Sequence, residues 1–337
     1  MKEQENSMEY NKQLAYMAAG EVIEGFYILK TASIRTASNG KPYLNASIAD
    51  ASGKMEAKMW DFNGKLGPAE EGKVVKIRGE VTEFKGSLQM NIRRIRLAES
   101  TDNYALEDLV PTAPIDSVKE MEYVQDLIAS MEDEDYRLLC AEMLDRHMAS
   151  FGKIPAAKNV HHSFLSGLLM HTSSMLRIAD FLATEIYPTV VNRSLLLAGT
   201  LLHDFGKEKE YDFSELGLVT DKSVEGMLVG HLVLGAEEVG EVGRKLGIPE
   251  EKLLLLRHML LSHHGTPEFG AAVIPSTAEA ELLSYIDLLD SRMEIYAETF
   301  ETLEPGRFSD KVFSLDKKIY NHGLREGDKK TGDPDEI

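Results

Sequence analysis

Two different hydrophobic patterns divide the 337-residue chain. Between about residues 20 and 98, apolar and polar side chains alternate in short runs, as in 55–59, where Met, Ala and Met alternate with Glu and Lys. Alternation with a period of two, bounded by Gly, Asn and Asp clusters, indicates half-buried β-strands. Over about 117–300 the apolar positions follow a helical period, and prolines divide this stretch into helices of ordinary length. The pattern therefore predicts a multidomain α and β protein.

The alternating region contains five predicted strands, the first of them a long strand over Val22–Ala37. The pair Arg93 and Arg94 interrupts the last alternation as a β-bulge would. Five antiparallel strands in a segment of this size favour a small closed barrel, and the OB-fold is the most common five-stranded choice. A cold-shock or SH3-like barrel is the alternative.

These patterns also predict the domain boundaries. An N-terminal segment covers 1–19, the β-barrel covers 20–98, and a linker with two prolines and little apolar periodicity covers 99–116. An all-α domain is expected over 117–305. The remainder, 306–337, is a C-terminal segment whose polar last part is expected to be disordered.

The charge distribution changes how the barrel is interpreted. The net charge of −19 by itself argues against a nucleic-acid partner. However, residues 20–98 hold 13 Lys and Arg against 9 Asp and Glu, whereas the remainder holds 24 against 47. Within 72–96 there are seven basic and two acidic residues. A basic module joined to an acidic body indicates a binding module attached to a second function.

Composition also limits the compartment and the kind of metal site. No apolar run approaches the roughly 20 residues of a membrane helix, and the N-terminus has no signal-peptide character. The single Cys140 excludes an intrachain disulfide framework and fits the reducing cytoplasm, where we expect the protein to act. One cysteine cannot build a thiolate cluster, so a metal site here must use His, Asp and Glu.

Five apolar helical segments each deliver an imidazole or a carboxylate. These residues are His171, His203, Asp204, His231, His263, His264 and Asp287. A single His on an apolar helix is usually a hydrogen-bonded core residue, and Asp290 is an alternative to Asp287 as the inward carboxylate. Together, imidazoles and carboxylates without thiolates suit divalent ions such as Mn²⁺, Fe²⁺, Co²⁺, Ni²⁺ or Zn²⁺. A bridging carboxylate such as Asp204 would hold two ions, which stabilise both oxygens of a phosphoryl displacement.

These residues carry a resemblance to a known superfamily. The ordered set of His and Asp in a helical domain resembles the HD-domain phosphohydrolases, and HDFGK at 203–207 matches their HD-x-G-K pattern. With the preceding barrel, the segments HHSFLSGLLMHT, LLHDFGKEKEY, GHLVLG, LLSHHG and EAELLSYIDLLDS resemble the bacterial YhaM-type 3′–5′ exoribonuclease family. The similarity covers about residues 15–300.

The resemblance implies a binuclear metal centre. One ion would be held by His171, His203, Asp204 and Asp287. Asp204 would bridge to a second ion, held by His231 and by His263 or His264, of which His263 is favoured. Mn²⁺ is the favoured ion, with Fe²⁺, Co²⁺, Ni²⁺ or Mg²⁺ as alternatives.

The resemblance also implies substrate contacts in the helical domain. His203, Asp204 and Lys207 would be catalytic, with Lys207 contacting a substrate phosphate as a point charge. The alternative for Lys207 is a solvated lysine favoured by a helix dipole. His161 and His162 are candidates for lining the phosphate pocket, although a surface or N-terminal helix role is favoured for them.

The predicted barrel offers a nucleic-acid-binding face. If Met and Ala of 55–59 point inward, Lys58, Trp60 and Phe62 share the outer face beside Tyr43 of the preceding strand. Aromatic rings can stack on bases while interleaved cations track phosphates, which suits single strands. The path would be extended by Arg35, Lys85, Arg93 and Arg94. The alternative is that Trp60 and Phe62 pack against the linker or the helical domain.

Three functional hypotheses follow. The first is a metal-dependent 3′–5′ exonuclease that degrades single-stranded RNA, and also single-stranded DNA, to nucleoside 5′-monophosphates. The second is an HD phosphohydrolase acting on a small nucleotide, with a regulatory barrel; a Gly-Tyr-Pro segment, typical of cyclic-dinucleotide enzymes, does not follow the HD pair. The third is a non-catalytic nucleic-acid-binding protein. Met and Leu residues on the acidic helical body are compatible with a homo-oligomer, and the sequence leaves the oligomeric state open.

Overall fold

The computed structural model describes residues 9–84, 86–156, 164–214 and 216–325. The chain forms two compact units. The first comprises the chain up to Ala113 together with Phe213–Leu218, and the second comprises the remainder. No helix in these described ranges is long and apolar enough to cross a membrane.

Six strands form the sheet of the first unit. They are β1 (Glu9–Tyr10), β2 (Val22–Thr36), β3 (Pro42–Asp50), β4 (Gly53–Trp60), β5 (Val74–Phe84) and β6 (Ser87–Leu97). The strand order is β1-β2-β3-β4-β6-β5, and β2 also pairs with β5. Strands β2 to β6 therefore close a five-stranded barrel, in which β4 and β6 run parallel and the other pairs are antiparallel. The predicted OB-like barrel is confirmed, and the short β1 is an addition to it.

The alternating residues fill the barrel as their pattern predicts. Leu44, Ala46 and Ile48 of β3 are fully buried and pair in register with the inward positions of β4. The predicted bulge in β6 is confirmed, because Arg78 pairs with Arg94 while the next residue of β5 pairs with Ile92, which leaves one extra residue between them. The interior of the barrel is therefore specified by its period-two pattern.

The barrel core also uses residues that lie before the predicted start at residue 20. Leu14 and Met17 are buried among the core side chains of the barrel. The buried carboxylate of Asp50 holds this segment, since it accepts a hydrogen bond from the Leu14 backbone N–H at 2.7 Å and another from the Ser52 backbone N–H at 2.8 Å. The core of the barrel therefore begins at least six residues before the predicted boundary at residue 20.

The second unit consists mainly of nine helices within the described ranges. They are α1 (Ser117–Ala129), α2 (Glu134–Phe151), α3 (Gly167–Phe181), α4 (Arg193–Leu202), α5 (Lys207–Glu210), α6 (Val224–Leu228), α7 (His231–Lys245), α8 (Glu250–Ser262) and α9 (Ala278–Thr302). Side chains cap several N-termini, for example Asn192 on α4 and Thr277 on α9. Helix α4 is buried over nearly its whole length and packs against α2, α3, α8 and α9.

The all-α expectation for 117–305 misses one short ribbon, and a second hairpin lies in the C-terminal segment beyond residue 305. A two-stranded ribbon forms from β7 (Tyr211–Phe213) and β8 (Val219–Lys222). A second hairpin, β9 (Arg307–Val312) with β10 (Lys317–Asn321), follows α9 in the predicted C-terminal segment. Strands of three to six residues contain too few alternations to stand out from their neighbours. Of the polar stretch that is expected to be disordered, 323–337, residues 326–337 lie outside the described residues.

Candidate metal centre and strand-binding surface

Five helices deliver the predicted metal ligands to one buried place. His171 lies within α3, His203 and Asp204 directly follow α4, and His231 is the first residue of α7. His263 and His264 directly follow α8, and Asp287 lies on α9. Because α4 runs through the interior, the pair at its end is almost completely buried, with exposures of 0% for His203 and 2% for Asp204.

The Asp204 carboxylate lies between two groups of imidazoles. Its Oδ2 is 3.2 Å from His203 Nε2 and 3.8 Å from His171 Nε2. Its Oδ1 is 3.5 Å from His231 Nε2 and 3.8 Å from His263 Nε2. Each oxygen of one carboxylate thus faces a different pair of ring nitrogens.

Two further predicted ligands complete the groups. Asp287 Oδ1 lies 3.3 Å from His171 Nε2, which places it on the Oδ2 side of Asp204. His264 belongs to the other side, since its ligand atom lies within 4.8 Å of those of His231 and His263. The structure therefore brings all seven predicted ligands together, and both members of the His263–His264 pair are at the centre.

The protein holds the second ring nitrogen of four of the five imidazoles. His171 Nδ1 lies 2.7 Å from Asp290 Oδ2, and His231 Nδ1 lies 2.5 Å from Glu210 Oε2. In the same way, His203 Nδ1 bonds the Thr200 carbonyl and His263 Nδ1 the Leu260 carbonyl, each at 2.8 Å. This arrangement fixes each ring and turns its Nε2 toward Asp204, as in metal-binding histidines.

Several buried polar atoms at this centre lack a hydrogen-bond partner in the described part of the chain. They are Asp204 Oδ1, His231 Nε2, His263 Nε2 and His264 Nδ1. Buried nitrogen and oxygen atoms are normally paired, because an unpaired one costs free energy. The unpaired atoms converge and are all of types that bind divalent first-row metals. The residues therefore fit a divalent cation.

The electrostatic environment favours the ligand forms of most of these groups. Burial alone would raise the pKa of Asp204, but His203 and Lys207 hold that pKa well below its usual range. Burial together with His203 holds the pKa of His263 well below its usual range, so this imidazole is neutral. Burial would also lower the pKa of His171, whereas Asp287 and Asp290 raise it to about 9. A bound cation would therefore displace a proton from His171.

The glycine and the lysine of the HDFGK segment serve different structural purposes. A Cβ on Gly206 would lie only 2.2 Å from the His231 carbonyl oxygen, so only glycine lets this turn approach the start of α7. The Lys207 ammonium lies 2.6 Å from Asp204 Oδ2, beside the candidate metal ligands. Lys207 is therefore directed into the centre rather than toward bulk solvent.

Two carboxylates at the site differ from the expectations based on sequence. Glu210 was not predicted as a site residue, and Asp290 was considered only as an alternative to Asp287. Asp290 does not replace Asp287 at the centre; both point inward, and Asp290 contacts the far nitrogen of His171. Glu210 is only 3% exposed despite its position in the charged segment EKEY. Asp290 stands out in the sequence because it is a carboxylate within an apolar helix. Glu210 cannot be distinguished in the sequence from a solvated glutamate.

One outer face of the barrel carries four of the eight predicted strand-binding residues. Arg35, Tyr43 and Trp60 lie opposite one another across β2, β3 and β4. The rings of Tyr43 and Trp60 have centroids 4.9 Å apart, and Trp60 is 51% exposed. Lys58 lies next to this row, with its Nζ 5.4 Å from the ring centroid of Phe84, an exposed aromatic residue that the sequence analysis did not identify.

Phe62 does not share this face. It is 6% exposed and belongs to the barrel core, so its predicted outward position is wrong. The reason is local: Asp61 has a φ of 53°, which ends the β4 alternation and turns the next side chain inward. The Phe62 ring then packs over Gly64, where a Cβ would lie 2.4 Å from it.

The remaining predicted contacts are distributed differently. Arg93 and Arg94 line one groove of the barrel, together with Lys76, Arg78 and Arg96. Arg35 and Lys58 line another groove, so the structure does not place all the cations on one path. Lys85, His161 and His162 lie outside the described residues.

Comparison with known proteins gives matches to both units. Residues 168–292 match the HD domain, and residues 30–98 match an OB-fold nucleic acid binding domain. A 3′-5′ exoribonuclease YhaM of Oceanobacillus iheyensis is 36% identical over 312 residues, covering 91% of this chain and 96% of that protein. The proteins of the same name from Bacillus velezensis and Listeria monocytogenes serotype 4b are also 36% identical, and they cover 89% and 94% of this chain and 95% and 99% of their own lengths.

Proposed function

Because this chain belongs to the YhaM family of 3′–5′ exoribonucleases, we propose that it shortens single-stranded RNA from the 3′ end in a metal-dependent hydrolysis. The observation that carries the proposal is the placement of Asp204, whose two oxygens face two separate groups of imidazoles. The products would be nucleoside 5′-monophosphates. The single, buried Cys140 fits action in the cytoplasm.

The ligand set supports a binuclear centre. His171, His203, Asp204 and Asp287 would hold one ion, and Asp204, His231 and one or both of His263 and His264 would hold the second. Divalent ions, with Mn²⁺ as our first choice, would supply an activated water and would stabilise charge on the phosphate oxygens. Asp204 would be the ligand shared by both ions, and its lowered pKa keeps it ionised.

Lys207 would position the substrate phosphate. Burial acts to lower the pKa of Lys207, but the nearby Asp204 carboxylate outweighs it, so the side chain stays an ammonium ion. An ammonium beside the centre can donate hydrogen bonds to a non-bridging phosphate oxygen. In the hydrolysis, the water oxygen ends on the phosphate of the released nucleotide, and the proton ends on the 3′ oxygen of the shortened strand.

The barrel would hold the rest of the strand. The row of Arg35, Tyr43 and Trp60, with the Lys58–Phe84 pair beside it, combines cations with exposed rings. Stacking on a ring does not depend on sequence, since every base has a π-face, and cations contact the phosphates. Such a surface would accept single-stranded RNA and, as a second substrate, single-stranded DNA.

The test uses the full-length protein and a 5′-labelled, unstructured RNA of about 25 nucleotides. With Mn²⁺, we expect the wild-type protein to produce a ladder that shortens from the 3′ end, and with EDTA we expect none. Asp204→Ala should lower the rate at least about 100-fold, because both sides of the centre lose a ligand. A gel shift in EDTA should show that this variant still binds the strand.

Asp212→Ala is the matched control, since Asp212 is an exposed carboxylate eight residues further along the chain. This control should shorten RNA at the wild-type rate. Shortening by Asp204→Ala at a near wild-type rate would contradict the assignment of the centre. Binding of RNA without any shortening by the wild-type protein would instead favour a free nucleotide as the substrate.

A further inference from the structure

The cavity beside the metal centre has walls that the ligand set does not explain. Its volume is about 640 Å³, and the candidate ligands and Lys207 form one side of it. Two other elements complete it: one face of α9, and the loop that joins α8 to α9. Cavities of 300–1,000 Å³ are typical of sites for small organic ligands, so this space is large enough for a nucleotide.

The walls of the cavity expose large apolar side chains. Phe269 is 73% exposed, Ile274 and Tyr285 are each 60% exposed, and Leu288 is 43% exposed. Apolar surface that is grouped in this way, around polar groups at a site of chemistry, is typical of a ligand-binding position. A ligand with flat apolar faces would remove this surface from water.

Both aromatic residues are placed by defined local structure. Tyr285 and Leu288 lie three positions apart on α9 and share the face of the helix that lines the cavity. Phe269 ends a short turn, and the following Gly270 has a φ of 101° and closes the turn with a hydrogen bond from its N–H to the Pro267 carbonyl at 3.0 Å. The two rings therefore line the cavity from two different elements, the loop and α9.

We propose that this cavity binds the 3′-terminal nucleotide of the strand and stacks its base against Phe269 and Tyr285. This inference rests on the proposed function, because hydrolysis of the last phosphodiester places its phosphorus at the metal centre. The terminal nucleotide is bonded to that phosphorus, so its ribose and base must lie beside the centre. Here the chain offers a cavity with aromatic walls.

The polar atoms of the wall fit the ribose. Ser284 Oγ donates to the Glu281 carbonyl at 2.9 Å, and Ser291 Oγ donates to the Leu288 carbonyl at 3.2 Å. Because their hydrogens are used, these hydroxyl oxygens face the cavity as acceptors for ribose hydroxyl groups.

The first experiment removes the base and the ring separately. Single-turnover rates with Mn²⁺ are measured on RNA strands that end in a normal nucleotide or in an abasic ribose. Loss of a stacked base is expected to lower the wild-type efficiency by about 5- to 150-fold, from the usual range for base–aromatic stacking. Tyr285→Ala should lower the rate on the normal end by a similar factor. On the abasic end it should lower the rate little further, because the effects of removing the two partners of one interaction are not additive.

The second experiment needs no cleavage. A strand carrying 2-aminopurine as its 3′-terminal base is bound in EDTA, where stacking on a ring should quench its fluorescence. Quenching should be lost in Phe269→Ala and Tyr285→Ala. It should persist in Leu289→Ala, which removes an exposed apolar side chain from the same helix outside the cavity.

The outcomes separate the inference from its premise. If the wild-type protein does not shorten the normal strand, the proposed function fails. If it shortens normal and abasic ends equally and does not quench the terminal 2-aminopurine, the exonuclease assignment stands and the cavity inference is overturned. The inference is also overturned if the loss in rate from removing the base and the loss from removing the ring multiply, since the two effects would then be independent.

Discussion

At the scale of single residues, the candidate centre depends on groups that never touch a metal. Two of its imidazoles are held by carboxylates, Asp290 and Glu210, and two by backbone carbonyls. A carboxylate partner makes the opposite ring nitrogen a stronger base than a carbonyl does, and it also fixes the ring. His171 and His231 are therefore the imidazoles whose ligand strength depends on a replaceable side chain.

Asp290→Asn is expected to weaken the binding of Mn²⁺ by about 10- to 100-fold, the usual effect of losing an outer partner. The amide keeps the volume but loses the charge that acts on His171, and its contact with Ser174 Oγ at 2.5 Å is weakened. Isothermal titration of the metal-free protein with Mn²⁺ measures the affinity directly. The maximal rate of RNA shortening should recover at saturating Mn²⁺.

Asp145→Asn is the control for this change, because Asp145 is exposed on another helix. It should bind Mn²⁺ with wild-type affinity. An unchanged affinity in Asp290→Asn would show that the hydrogen bond to His171 does not support a metal ligand. Loss of the maximal rate without loss of affinity would assign Asp290 a role in the chemical step instead.

At the scale of secondary-structure elements, His147 ties three helices together near the centre. It lies on α2, its Nδ1 contacts Glu208 of α5, and its Nε2 lies 3.1 Å from Glu238 of α7. Lys209 also pairs with Glu238, at 2.8 Å. Burial acts to lower the pKa of His147, but the two carboxylates raise it from 6.5 to about 9.

The His147 cluster therefore makes stability depend on pH. A pKa that is higher in the folded protein stabilises it fully below the unfolded value of about 6.5, and this contribution disappears as the pH rises through about 9. A pKa difference of one between the folded and unfolded protein corresponds to about 1.4 kcal/mol, so the contribution to the free energy of unfolding is on the order of 3 kcal/mol. Urea denaturation at pH 6 and pH 10 should show a large loss in His147→Gln at the lower pH and a small one at the higher.

His322→Gln is the comparison, because His322 is exposed and should change stability at neither pH. A loss in His147→Gln that stays equal at both pH values would show that its effect comes from packing. Such a result would contradict the charge pairing.

The secondary-structure elements that were predicted well are those with a regular pattern of buried and exposed side chains. Apolar and polar residues alternate over 44–48 in β3 and 55–59 in β4, and α4 is buried without interruption from Ser194 to Leu202. The prediction failed where a single residue ends the alternation of inward and outward side chains. Asp61 has a positive φ, and the side chain of the following Phe62 points into the core. Sequence periodicity carries no signal for such a reversal.

The candidate centre was predicted better than its surroundings for a physical reason. Polar ligands on apolar helices are conspicuous, and the structure brings His171, His231 and Asp287 together with the others. Glu210 lies in a charged segment, and the Thr200 and Leu260 carbonyls are available in any sequence. Which charged groups become buried, and which carbonyls a ring meets, is decided by the packing of helices.

At the scale of the whole molecule, the barrel segment 20–98 and the rest of the chain carry opposite net charge and different chemistry. The basic barrel holds exposed rings, whereas the acidic helical unit holds the candidate centre. Acidic groups repel a polyanion at long range, so affinity for the strand is expected to come mainly from the barrel. Strand binding and cleavage should therefore be separable by mutation.

Trp60→Ala is expected to weaken binding of a 25-nucleotide RNA by about 1–3 kcal/mol, because one base loses its stacking partner. Cleavage of a dinucleotide should be unchanged, since a substrate of that length needs only the metal centre and the cavity beside it. Phe181→Ala, which removes an exposed aromatic ring from α3, is the control and should alter neither measurement. Affinities from fluorescence anisotropy in EDTA and kcat/KM for both lengths in Mn²⁺ provide the comparison. An equal loss of kcat/KM on the dinucleotide would mean that Trp60 supports the metal centre rather than strand binding. The assignment of strand binding to one unit and cleavage to the other would then be wrong.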